Sequence, residues 1–225
     1  DVYKRQVLRS EPSAVRVVDY RGVPDPRRRL ERLRPRGDPR AQADVRVWAE
    51  AGARAQVAGQ DRYELCPSRE LVIWTTPPGT RELQAVLEKV SPETVVLFGV
   101  DPDLDRPERF LQRLTGLAKR ALNSQGGWVN VSALAAATAQ RESTVRAGLA
   151  WLVARGHVAV LSEDGGAVRL AAGSQTASAD LRRAVARLRE SLEETAAYRA
   201  YFAQADKGRL ISAHGDSGGE PSRGF

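Results

Sequence analysis

The sequence predicts an α/β protein. It reads as a small Rossmann-like unit with a parallel sheet, then a winged helix-turn-helix, then a long C-terminal helix. Three observations carry this. Before residue 104, apolar β-branched runs alternate with helical segments, the pattern of parallel strands covered on both faces. After it come helix, strand, helix, helix and hairpin signals in that order. Residues 179–203 then keep one apolar stripe at helical spacing.

The elements follow in chain order. Residues 15–21 (VRVVDYR) alternate and predict a strand. Pro26 opens an arginine-rich helix over 27–34, which Pro35, Gly37 and Pro39 end. Residues 45–49 and 71–76 predict two more strands. Leu83, Val86, Leu87 and Val90 fall on one face of a helix over 80–90, and TVVLFGV at 94–100 is a fourth strand. Asp105 is expected to cap a helix beginning near Pro107, with Phe110, Leu111, Leu114, Leu117, Ala118 and Leu122 as its stripe. Gly126-Gly127 breaks it before a short strand at 128–131. Ser132 is expected to cap a helix over 133–139. The next helix, 143–155, presents Val145, Leu149, Leu152 and Val153, and Gly156 ends it. Residues 157–161 and 167–170 flank an Asp-Gly turn and predict a hairpin. In the C-terminal helix, Leu181, Val185, Leu188 and Leu192 are expected to face inward. From Asp206 the chain loses its apolar pattern and is expected to be disordered.

Composition narrows the class. The chain has 225 residues, 42% hydrophobic and 28% charged, with no apolar run of transmembrane length. One cysteine, Cys66, excludes an internal disulfide and suggests a reducing, cytoplasmic setting. The net charge of +7 is compatible with a phosphate-backbone partner. Methionine is absent, and DVYKRQ at 1–6 resembles a translated adapter end. Residues 1–6 are therefore set aside, and the chain is expected to be a C-terminal piece of a longer protein.

Several motifs invite chemistry. GDSGG at 215–219, behind His214, is the run around the nucleophile of chymotrypsin-like proteases. It falls in the expected disordered tail, without the β-barrel such an enzyme needs, so no residue is assigned a catalytic role. TPPGTR at 76–81 opens a helix whose free amides, with Gly79, Thr80 and Arg81, suit an anion. It lacks the Walker and GxGxxG glycines. Asp101, Asp103 and Asp105 follow the fourth strand, where open α/β sheets bind ligands; beside prolines they read as loop and cap. Two distant histidines and one cysteine make no metal cluster. Arg27, Arg28, Arg29, Arg32, Arg34, Arg36 and Arg40 form the densest basic stretch, a solvated face or a nucleic-acid track. On the wheel of the 143–155 helix, Arg141, Thr144, Ala147, Gly148, Trp151 and Arg155 are expected to point away from the apolar stripe. Trp151 beside Arg155 then either packs on the C-terminal helix or the α/β unit, or stacks on an unpaired base. Glu163 and Asp164 at the wing tip count against binding a duplex through the wing.

VRVVDYRG, LVIWTTPPGTRELQAVLEKVSPETVVLFGVDPDLDRPERF, STVRAGLAWLVARGHVAVL and LRESLEETAAYRAYF, in this order, resemble the C-terminal region of RecJ-type single-strand-specific exonucleases. The resemblance spans about residues 14–203. It implies a 5′-to-3′ DNA exonuclease of repair and recombination, with Mn²⁺ or Mg²⁺ held by an Asp-His-His phosphoesterase core. No residue of that core is in this chain, so none of its catalytic or metal-binding roles carries over and no cofactor is expected here. It also implies an accessory region that contacts single-stranded DNA or repair partners such as the acidic tail of single-strand DNA-binding protein. The domains expected are 7–104 (α/β unit), 105–172 (winged helix), 173–205 (linker and helix) and 206–225 (tail). Rival readings are the C-terminal lobe and winged helix of a DNA helicase, and a winged-helix transcription regulator.

Overall fold

A computed structural model describes residues 15–34, 44–174 and 176–212. Four parallel strands lie side by side in the order β1 (Arg16–Asp19), β4 (Thr94–Val100), β3 (Glu70–Thr75), β2 (Val45–Trp48). Their apolar runs are explained by burial on both faces. Val72, Trp74, Val96 and Phe98 meet Leu30 of helix α1 (Pro26–Leu33) on one face. On the other, Leu71, Ile73, Val95 and Leu97 meet Leu83, Val86, Leu87 and Val90 of α3 (Thr80–Val90). The short helix α2 (Ala53–Gln56) and the loop after it, which the sequence did not suggest, lead from β2 to β3.

Helix α4 (Pro107–Ser124) begins the second half. Its cap is Arg106, without a side-chain bond, and Asp105 is committed elsewhere, as described below. Strand β5 (Trp128–Asn130) leads into α5 (Val131–Thr138). The cap there is Asn130, whose Oδ1 accepts from the amides of Ser132 (2.9 Å) and Ala133 (3.3 Å). Ser132 is thus the second helical residue, because asparagine two positions earlier satisfies the free amides first. Helix α6 (Glu142–Ala154) and the hairpin β6 (Val158–Asp164) and β7 (Ala167–Ala172) follow. Both turn residues, Gly165 and Gly166, have positive φ, the conformation a two-residue hairpin turn demands. The pairing shifts register between Val160 and Ser162, and Leu161 is left 59% exposed. β7 lies between β5 and β6 in this antiparallel sheet.

The C-terminal helix, α7 (Leu181–Gln204), serves both halves. Leu188 and Leu192 join the core of Phe110, Leu114, Val145 and Leu152. One turn beyond Arg199, Phe202 joins the core under the parallel sheet. Gly99 leaves room for it: a Cβ there would lie 3.0 Å from the Phe202 ring. Val185, expected inside, is 37% exposed. The expected disorder from Asp206 is corrected too. Residues Lys207–Ser212 form α8, and Leu210 and Ile211 are buried against the same sheet face. Among the described residues, no helix is long and apolar enough to cross a membrane.

Candidate functional site

The arginines of α1 divide rather than forming one track. Arg29 lies over the Tyr20 ring, 4.3 Å from its centroid, and donates to its hydroxyl. Arg34 donates to the carbonyl of Val57 and Arg27 to Gln56. Arg28 and Arg32, one turn apart, stay exposed. Helical geometry causes the split: adjacent positions point about 100° apart, so consecutive arginines cannot share one face. Arg36 and Arg40 lie outside the described residues.

The face of α6 expected to point outward is a buried one. Thr144 and Ala147 are at most 4% exposed, and Gly148 is buried. Helix α7 covers this side: Thr144 Oγ1 lies 2.7 Å from Ser191 Oγ, and Arg141 donates to the Ser191 carbonyl (2.9 Å) and to Glu194 (2.7 Å). Gly148 lets α4 approach, since a Cβ there would meet Leu114 and Phe110 within 2.7 Å. Small and hydroxyl-bearing residues look polar on a wheel but allow close helix packing. Trp151 is half-buried against this core, beside Val185 and Leu188 of α7. Arg155 sits over its ring at 5.8 Å.

At the start of α3, Gly79 is the extended cap residue and is buried, while Thr80 and Arg81 are exposed. The carboxylate of Glu82 lies back over Gly79, 2.6 Å from where a Cβ would stand. The positive end of this helix already faces a carboxylate of its own third residue. An incoming anion would meet that charge, which weakens the anion site expected at Gly79, Thr80 and Arg81.

Sequence reasoning missed a buried polar junction beyond the carboxyl ends of the parallel strands. Glu50, 1% exposed, accepts from Trp48 Nε1 (2.8 Å) and from Arg62 Nε (2.6 Å), and Arg62 is itself buried. Asp105 accepts from Gln140 (2.8 Å) and from Arg199, and Arg199 also donates to the Ala139 carbonyl. Burial pushes the Asp105 carboxyl up despite the Arg199 charge, and burial pushes Arg199 down despite Asp105. Desolvation therefore outweighs attraction on both sides of the pair. The signal was Arg199, an arginine inside an otherwise apolar and small-residue stretch; Asp105 sits among other charged residues, 94 positions away, and gave no sign of the pairing.

A groove of about 540 Å³ lies between α6, the β6–β7 hairpin and the start of α7. Leu149, Val153, Val160 and Val168 line it, with Arg146, Arg183 and Arg187 at its edges. Val153 and Val160 are 38% and 39% exposed, so this apolar floor meets solvent. Its rim also carries Glu163, 3.4 Å from Arg146, and Asp180. Among the described residues, no group of three His, Cys, Asp or Glu comes together to hold a metal. GDSGG lies outside the described residues.

The fold and these surfaces define a mixed α/β protein with a parallel four-stranded sheet, a long C-terminal helix and a basic, apolar-floored groove. No protein-family model, curated protein or solved structure matches the chain.

Proposed function

We propose that this chain is the DNA- and partner-binding accessory region of a single-strand-specific 5′-to-3′ exonuclease of repair and recombination. The observation that carries the reading is the groove between α6, the hairpin and α7. Its exposed valines suit the apolar end of a peptide, and Arg146, Arg183 and Arg187 suit neighbouring carboxylates. The resemblance implies the acidic tail of single-strand DNA-binding protein, and a basic surface with apolar sockets would suit such a tail.

The order α4, β5, α5, α6, β6, β7 supports reading residues 105–172 as a winged helix, and residues 15–104 as a Rossmann-like unit. In that reading α6 is the helix that would enter a duplex groove. Its cover by α7 weighs against the transcription-regulator alternative, because the side with Arg141, Thr144 and Gly148 is taken up by packing and only the side with Arg146 and Val153 stays open. Mn²⁺ or Mg²⁺ belongs to the phosphoesterase core that the resemblance implies. The residues here do not fit such a core, and the part assigned to this chain is binding.

The test is a titration of the chain against a fluorescent peptide of consecutive aspartates ending in apolar residues. Micromolar binding is expected, with Arg183→Glu plus Arg187→Glu weakening it at least about tenfold by charge reversal. Absence of binding, or binding indifferent to both substitutions, would overturn the groove assignment. Incubation with single-stranded DNA and Mn²⁺ is expected to leave the DNA intact; metal-dependent degradation by this chain would overturn the accessory role.

A further inference from the structure

Residues 109–141 contain no aspartate or glutamate, although more than one residue in ten of the whole chain is acidic. Helix α4 lies within this stretch from Arg109 onward; its first turn carries Glu108. Its outer face carries Arg109, Arg113, Gly116 and Arg120, spaced by three or four positions and so aligned along the helix, with Gln112 beside them. With Pro102, Asp103 and Leu104 they line an open channel of about 840 Å³. From Arg109 to Arg120 it runs roughly 16 Å along the helix axis.

The two ends differ. Arg109 pairs with Asp103, so the N-terminal end is neutralised. Arg113 Nε donates to the Ala137 carbonyl at 3.2 Å, which steadies the guanidinium and leaves its two terminal nitrogens for another acceptor. Arg120 is exposed. Between them Gly116 is exposed in mid-helix, and a Cβ there would meet nothing within 4 Å. Packing inside the chain therefore gives no reason for a residue that weakens a helix. Its effect is to bare the helix backbone midway between two arginines, where a ligand can come close.

We propose that this channel holds the phosphodiester backbone of single-stranded DNA, with Arg113 and Arg120 on phosphates of the same strand and the strand passing over Gly116. The inference rests on the DNA-associated reading above and names its surface, which is α4 and not the arginine helix α1. The lining comes from one helix and one short loop, a footprint that suits a single backbone. The donors are the guanidiniums of Arg113 and Arg120 and the side-chain amide of Gln112, which suit phosphate oxygens.

The test measures binding of a fluorescein-labelled oligothymidylate against salt concentration. Arg113→Gln plus Arg120→Gln is compared with Arg28→Gln plus Arg32→Gln on α1. Each lost phosphate contact flattens the logarithmic salt slope by about 0.7, so the α4 pair is expected to lose about 1.4 in slope and roughly 25-fold in affinity near 0.1 M salt. The α1 pair is expected to change affinity less than about threefold. Gly116→Gln is expected to raise the melting temperature and still weaken binding several-fold, a combination a merely structural glycine does not give. Wild-type binding that survives the α4 substitutions overturns the channel and leaves the proposed function standing. No DNA binding by the wild type overturns the channel and the DNA half of that function together, with the acidic-peptide titration deciding the other half. A duplex that binds as tightly, with equal sensitivity to the α4 substitutions, overturns the single-strand assignment.

Discussion

Arg199 on α7 donates to both the carboxylate of Asp105 and the carbonyl of Ala139, so one buried guanidinium ties the C-terminal helix to the start of α4 and the end of α5. Its partners lie 94 and 60 positions away in sequence. The same helix reaches the parallel sheet through Phe202, whose carbonyl accepts from Arg21. The two halves are thereby held by one element, and the stability of each is coupled to it.

Breaking this pair is expected to cost more than replacing it. Arg199→Met leaves the Asp105 carboxylate buried beside Gln140 alone, at a cost of about 3 kcal/mol. Asp105→Leu strands the guanidinium with similar loss. The double variant is expected to recover at least about half of the summed cost, because burial disfavours both charges. Urea denaturation of the four proteins measures this cycle. Strict additivity would show that the two side chains act independently.

Two helical glycines are expected to respond to alanine with opposite signs. Gly116→Ala gains up to about 1 kcal/mol from helix propensity, as its Cβ enters open space. Gly148→Ala drives its Cβ to 2.6 Å from Leu114 Cδ2 and 2.7 Å from Phe110 Cε1. Overpacking there is expected to outweigh the same propensity gain, for a net loss of about 1–2 kcal/mol. Thermal melts of the two variants compare them directly.

Alkaline stability is expected to depend on Tyr198. Burial pushes its phenol from 10.0 up to about 12. The folded state holds this proton more tightly than the unfolded chain does. Its contribution is therefore complete below pH 10 and lost as pH rises through 12. Tyr63 is raised in the same direction, again mainly by burial, with its bond to Glu142 helping. Tyr198→Phe is expected to flatten the fall in stability between pH 10 and 12, followed by denaturant midpoints across that window. An unchanged slope would remove Tyr198 from the account.

Ending the chain after Gln204 is expected to destabilise the sheet half. Leu210 and Ile211, each 6% exposed, cover the face that also holds Leu71 and Ile73. Ile211→Ala alone is expected to cost about 2 kcal/mol. Hydrogen exchange would locate the loss: faster exchange in β1 and β4, rather than in the β6–β7 hairpin, is the expected result.

Much of the architecture was legible because its causes are local. The runs at 71–75 and 94–100 are too apolar and β-branched for anything but doubly buried strands, and α3 ends where its stripe does, at Val90. Residues whose role depends on remote chain were misread. Asp105 looked like a cap because a proline follows soon after, yet its partners are Gln140 and Arg199. Leu210 and Ile211 were lost against a glycine- and serine-rich background, since a single turn of helix has too few apolar positions to show a period. The α1 arginines looked like one surface because density along a sequence does not reveal direction around a helix.

Apart from the short helices α2 and α8, the sequence by itself determined the element types, their order and the parallel character of the first sheet. These follow from backbone propensity and the spacing of apolar side chains, which act over a few residues. Only the tertiary structure decided that α6 is covered on the side expected to be free, and that α7 bridges both cores. It also decided which arginines remain free for a partner. Those outcomes depend on close approach at Gly148 and on charges paired across dozens of residues, and neither leaves a periodic trace in the sequence.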